Sequence, residues 1–209
     1  SSIIATLANL FESNNSDSFK AFVRDLTDEL HNELGFEVKK DEELEIKEVR
    51  DTINKLRAKN LDDDNFIKKF SDIFKEDKME SISEGTFFSS ILFISALDET
   101  NKIETFLEKF ENAESPQMQG RYRGVLGQVR DPNASKKIVE FMLDGRIRGA
   151  DCPYILASMI TNKYIGKKSW GLIKENFNDL LNVMPDWTAS RILDALPAIY
   201  DEEFADDIK

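Results

Sequence analysis

The stretch DPNASKKIVEFMLDGRIRGADCPYILASMITNKYIGKKSWGLIKENFNDLL, residues 131–181, decides the fold. Its apolar side chains fall in groups spaced three and four residues apart: Ile138, Phe141 and Met142; Tyr154, Ile155, Met159 and Ile160; Trp170, Ile173, Phe177, Leu180 and Leu181. That spacing is the period of an amphipathic helix with one buried stripe. The punctuation agrees. Asn133 follows Pro132 and Asp151 precedes Pro153; proline suits the first turn of a helix, and a neighbouring polar residue can cap its free N–H groups.

The same pattern extends outward. Phe19, Phe22, Val23, Leu26 and Leu30 form one amphipathic helix, and Leu44, Val49, Ile53 and Leu56 the next. Phe66, Phe70, Ile73 and Phe74 follow Asp62-Asp63-Asp64, whose carboxylates favour a helix N-terminus. Ser81-Ile82-Ser83-Glu84 has capping-box spacing and opens Phe87 to Leu97, apolar almost all round, the candidate for a central buried helix. A buried strand competes for that run, but no period-two partner flanks it. Ile103, Phe106, Leu107 and Phe110 come next; Ser115-Pro116 starts another helix, Trp187, Ile192, Leu193 and Leu196 continue the series, and Asp201-Glu202-Glu203 loads acid onto a last one. Gly35 to Glu43 reads as an extended connection or a short exposed strand. The predicted fold is all-α: about eleven or twelve short antiparallel helices stacked as an α-solenoid, in one domain over residues 1–209.

Composition narrows the function. The 209 residues are 41% hydrophobic and 33% charged with 9 Gly and 5 Pro, which suits a globular chain and excludes collagen or low-complexity disorder. One His and one Cys cannot build a zincin helix, a zinc finger or an iron–sulfur site. Cys152 has no disulfide partner, and no apolar run reaches membrane-spanning length, so the expectation is a cytoplasmic protein without a membrane partner. The start SSIIATLANLFES has no basic leader, and the triplets Asn14-Asn15-Ser16 and Asn133-Ala134-Ser135 are short enough to arise by chance. A net charge of −12 repels phosphate backbones and disfavours nucleic acid as a partner. The acid lies mostly before residue 110, whereas Arg121, Arg123, Arg130, Arg146 and Arg148, five of the nine arginines, fall between residues 121 and 148. They suit an anion site or an interface ion-pair cluster, or else lie scattered on solvated helix faces.

No catalytic constellation emerges. His31, in ELHNEL, has carboxylates nearby but no nucleophile, and reads as a surface histidine. The glycines of GRYRGVLG, Gly120, Gly124 and Gly127, fit no phosphate loop and read as close helix packing. The acid runs Asp41-Glu42-Glu43 and Asp62-Asp63-Asp64 lack calcium-loop spacing and read as helix starts and solvated faces.

Several features in order resemble the C-terminal domain of zinc aminopeptidases of the aminopeptidase N family, which includes the endoplasmic reticulum and archaeal tricorn-interacting aminopeptidases. These are Asp131-Pro132 opening a helix, Ile147-Arg148-Gly149-Ala150-Asp151 in place of Ile-Arg-x-Gln-Asp, then Asn162, Gly166, Trp170 and Asn176-Phe177 in place of Asn-Trp. Upstream, Leu34-Gly35-Phe36-Glu37 and Glu48-Val49-Arg50 are similar to the family's Leu-Gly-aromatic turn and Leu-Arg helix. The departures are Ala150 for Gln and Phe177 for Trp.

The resemblance implies a HEAT/armadillo-like bowl that is non-catalytic, docks on the catalytic domain of the same polypeptide, encloses the active-site chamber and helps bind the distal end of peptide substrates. It also implies that zinc belongs to a catalytic domain outside this sequence, with no cofactor in residues 1–209 and no catalytic residue among them. Arg148, Arg146, Arg121 and Arg123 are the candidates for holding a peptide carboxylate or acidic groups of the neighbouring domain. Asp151, just before Cys152-Pro153, reads as a helix cap rather than a ligand. The alternative is a stand-alone helical-repeat adaptor that binds a basic partner protein.

Overall fold

The computed structural model describes residues 16–39, 41–76, 86–186 and 190–196. Within them the chain forms eleven helices and no strand, an all-α, solenoid-like succession as the periodicity predicts. The Asn14-Asn15-Ser16 triplet, the Ser81-Ile82-Ser83-Glu84 capping box, Trp187, the Asp201-Glu202-Glu203 start and both chain ends lie wholly or partly outside the described residues. The chain divides into two compact units, Ser1–Asp98 and Glu99–Lys209.

The first unit contains α1 (Ser16–Leu34), α2 (Leu44–Asn60), α3 (Asp64–Lys75) and α4 (Thr86–Ala96). Helix α1 packs on α2, and α4 packs on both α2 and α3. On α1, Phe19, Val23 and Thr27 are buried, and the first two form a cluster with Leu61. The expectation that Phe22, Leu26 and Leu30 share that buried face is corrected: they are 44%, 50% and 43% exposed. At about 100° per residue they form a row beside the Phe19/Val23/Thr27 row, so contacts that cover one leave the other open. Helix α3 begins as its acidic start predicts, with the Asp63 carboxylate accepting from the Phe66 N–H at 3.0 Å. The run from Phe88 to Leu97 is buried on nearly every side.

Residues 35–39 and 41–43 are irregular, with no strand among them. Gly35 caps α1 at φ +69°, in the left-handed region, with its N–H donating to the His31 carbonyl at 2.9 Å. Arg50, 1% exposed, donates to the Leu34 carbonyl at 3.2 and 3.3 Å and forms a two-point ion pair with Glu42. The Asn54 amide donates to the Phe36 carbonyl at 3.0 Å. A buried guanidinium is costly unless paired and fully hydrogen-bonded, so these contacts fix the path of the connection. The hydrogen bond from Arg50 holds the Glu42 carboxyl below its ordinary pKa.

The second unit contains α5 (Ile103–Glu111), α6 (Pro116–Leu126), α7 (Ala134–Leu143), α8 (Cys152–Ile160), α9 (Gly166–Glu175), α10 (Phe177–Val183) and α11 (Ser190–Ala195). Ser115 caps α6, accepting from the Met118 N–H at 3.2 Å, with Pro116 in the first turn. Asp131, 1% exposed, does what was expected of the Asp131-Pro132 pair. Its carboxylate accepts from the Ile103 and Asn133 N–H groups, each at 3.1 Å, and so joins the starts of α5 and α7. Asn162 joins α8 to the segment after α6 by donating to the Gly127 and Val129 carbonyls at 3.0 and 3.3 Å.

Backbones meet closely in this unit. A Cβ at Gly166 would stand 2.3 Å from the Ile160 carbonyl oxygen, whereas one at Gly171 would meet nothing within 4 Å. Gly166→Ala should therefore lower the unfolding free energy by about 1–3 kcal/mol through overpacking. Gly171→Ala, inside α9, should raise it by about 0.5–1 kcal/mol. Urea titration followed by circular dichroism checks the opposite signs.

His31 gives a pH-dependent expectation. It is half-buried, edge-on to Phe66 with ring centres 5.5 Å apart, and its Nδ1 has no hydrogen-bond partner among the described residues. Burial, followed by the charges of Arg57 and Lys69, outweighs the acids Asp28 and Asp63 and lowers its pKa. The unfolded chain then takes the proton first, at about pH 6.5, so stability is full above that value and declines as pH falls below it. His31→Gln should flatten the change in urea midpoint between about pH 7.5 and 5.5, above the usual carboxylate range.

Candidate functional site

The site lies within the second unit, where α6 and α8 pack together. Gly127 sets their spacing: a Cβ there would lie 2.6 Å from the Ser158 Cβ, so only glycine admits the approach. The Gln128 side-chain amide donates to the Ser158 hydroxyl beside it. Close packing thus accounts for Gly127 but not for Gly124, where an added Cβ would meet nothing, nor for Gly120, whose nearest neighbour is the flexible Arg123 tip at 3.9 Å. Gly124 instead borders a cavity of about 380 Å³ lined by Arg123, Gly124, Asp151, Tyr154, Ile155 and Ser158.

Charge converges on the cavity wall. Arg123 Nη1 donates to one Asp151 carboxylate oxygen at 2.7 Å, and Arg148 Nε to the other at 3.1 Å. Burial disfavours the charged form of Asp151, yet the hydrogen bonds from Arg148 and Arg123 outweigh it and hold the carboxyl below its ordinary pKa. The helix-cap role expected of Asp151 is corrected. It occupies the N-cap position of α8, but its side chain makes no cap hydrogen bond. At φ −93° and ψ −24° its backbone is already helical rather than extended as a side-chain cap requires, and its carboxylate faces the arginines.

The sequence cluster of arginines separates in space. Arg123 and Arg148 meet at Asp151. Arg146 forms a two-point pair with Glu111 and stacks on Phe141 with its guanidinium carbon 3.5 Å from the ring centre. Hydrogen bonding to Glu111 raises its pKa further. Arg130 lies 4.2 Å over the Tyr164 ring and within 4.0 Å of Glu99. Arg121 is half-buried on α6 and does not line the cavity. Two contributors went unnoticed in the sequence: Tyr154, 52% exposed on the cavity wall, and Arg191 of α11, 4.3 Å over its ring. Tyr154 read as a core residue because it shares the helical spacing of Ile155 and Met159.

Arg123 and Asp151 line the hollow, and Arg148, outside its lining, engages the other oxygen of Asp151; the three side chains together carry one net positive charge beside a partly apolar hollow, a setting for an anionic group attached to an apolar body. Cys152 is buried, donates toward the Arg148 carbonyl at 3.5 Å, and has its pKa pushed up to about 11 by burial, so it stays a thiol at neutral pH. Among the described residues no group of three His, Cys, Asp or Glu side chains is placed to hold a metal ion, and no helix is long and apolar enough to cross a membrane.

A comparison with curated proteins returns no match. A family model for the ERAP1-like C-terminal domain matches residues 1–209, the whole chain. The all-helical architecture and the ordered motifs around Asp131, Arg148 and Asn162 agree with that match, and the chain belongs to the ERAP1-like C-terminal domain family, the C-terminal domains of aminopeptidase N-type enzymes.

Proposed function

We propose that residues 1–209 act as one non-catalytic domain of a cytoplasmic zinc aminopeptidase. The domain docks on the catalytic domain of the same polypeptide, helps enclose the chamber over the active site, and holds the distal end of a peptide substrate by its C-terminal carboxylate. The observation that carries the last role is the α6–α8 cavity, where Asp151 is shared between Arg123 and Arg148.

The Arg148 side chain is 77% exposed, so an incoming carboxylate reaches it by rotation of a solvated group. Such a carboxylate would pair with guanidinium donors that Asp151 leaves over, because one carboxylate cannot saturate two forks of five N–H donors each. Tyr154 and Ile155 offer apolar surface to the side chain of the substrate's last residue. Arg146 and Arg121 are assigned to interdomain contacts, away from this cavity. Zinc does not fit these residues: the sequence has a single His, and the described residues offer no three-ligand group. No step of the hydrolysis is therefore assigned to this domain.

In the complete enzyme, Arg148→Ala should raise KM several-fold for peptides with a free C-terminus while leaving KM for single-residue amides unchanged, as loss of a remote contact does. Asp151→Asn should also raise peptide KM, because without the shared charge Arg123 and Arg148 repel and are no longer held together. Equal changes on both substrate classes would remove the carboxylate role. The isolated chain should hydrolyse no aminoacyl-nitroanilide and carry no stoichiometric zinc by elemental analysis; metal-dependent cleavage would reject the non-catalytic assignment.

A further inference from the structure

Helix α1 carries more apolar surface than its own unit covers. Phe19 and Val23 are in the core, while Phe22, Leu26 and Leu30 form an exposed row four residues apart along the same helix. The row is continuous with the core: the Phe19 and Phe22 rings stand 6.5 Å apart. Its outer border is a second row, Asp25, Glu29 and Glu33, all exposed and without an ion pair among the described residues. On other faces of α1 Lys20 pairs with Asp62 at 2.9 Å and Asp28 with Arg57.

We infer that this stripe is a docking surface for an amphipathic helix of a partner protein that carries Lys or Arg beside its apolar face. Three rungs of apolar contact match about three turns of a facing helix, and the acidic row requires cations along one flank. Charge decides against other occupants. A second copy would set one acidic row against another, and an anionic bilayer would be repelled. Residues 1–15 contain no Lys or Arg with which to answer Asp25, Glu29 and Glu33. The inference is independent of the carboxylate cavity in the second unit, and either can fail without the other.

The test uses the full chain and a fluorescein-labelled model helix of about four turns with leucines on one face and lysines flanking them. Fluorescence anisotropy should show saturable binding that weakens several-fold when salt rises from about 0.05 to 0.3 M. Leu26→Ser should weaken binding about tenfold, the loss of one buried leucine. Glu29→Lys should weaken it at least as much, whereas Glu104→Lys, an equal charge change in the second unit, should leave it within about twofold. The proposal is overturned if Leu26→Ser and Glu29→Lys bind as the parent chain does, if a glutamate-flanked version of the helix binds equally well, or if sedimentation shows a dimer that Leu26→Ser dissolves. It is also overturned if the complete polypeptide fails to bind the helix while residues 1–209 bind it, because the stripe is then covered within the parent protein.

Discussion

Asp151 is the charge on which the candidate site depends. It begins α8, and its two carboxylate oxygens are engaged by arginines from different places: Arg123 on α6 and Arg148 in the turn before α8. Without it, the two guanidiniums would repel each other; with it, they are held near one another and still leave one positive charge in excess. The geometry beneath is backbone-set. Gly127 against Ser158 fixes how near α6 comes to α8, and Asn162 ties α8 to the carbonyls of Gly127 and Val129. The cavity therefore has walls that cannot drift apart without breaking buried hydrogen bonds, which is what a binding site for a small charged group needs.

The first unit uses the same device for a different end. Arg50 is almost completely buried and fully engaged, by Glu42 and by the Leu34 carbonyl, and it organises an irregular connection rather than a ligand site. Arg50 has its donors turned inward; Arg148 is largely solvated and holds its carboxylate through a single nitrogen. Exposure, more than residue type, separates an arginine that builds the fold from one available to a ligand.

Much of this fold was legible in the sequence because helical spacing reports burial directly. The starts at Asp63 and Pro116, and the all-round burial from Phe88 to Leu97, followed from local chemistry, and the Asp131-Pro132 start from the resemblance. What failed was knowledge that only packing supplies. Phe22, Leu26 and Leu30 have the right spacing for a core, but no residue pattern on α1 says that its neighbour covers the adjacent row. Asp151 beside a proline has the composition of a cap, and its helical dihedrals, set by the preceding turn, turn it toward the arginines instead. Arg123 and Arg148, Arg146, and Arg130 lie close in sequence yet answer to Asp151, Glu111 and Glu99 respectively. Arg191, stacked over the Tyr154 ring, stands more than forty residues beyond that cluster.

The most direct measurement is a nuclear magnetic resonance titration of residues 1–209 with an N-acetylated peptide ending in a leucine, compared with the same peptide amidated at its C-terminus. The free acid should shift the Arg148 Nε and Arg123 resonances together with those of Tyr154, and the amide should not. Identical shifts with both peptides, or shifts confined to residues away from α6 and α8, would contradict a carboxylate site built on Asp151.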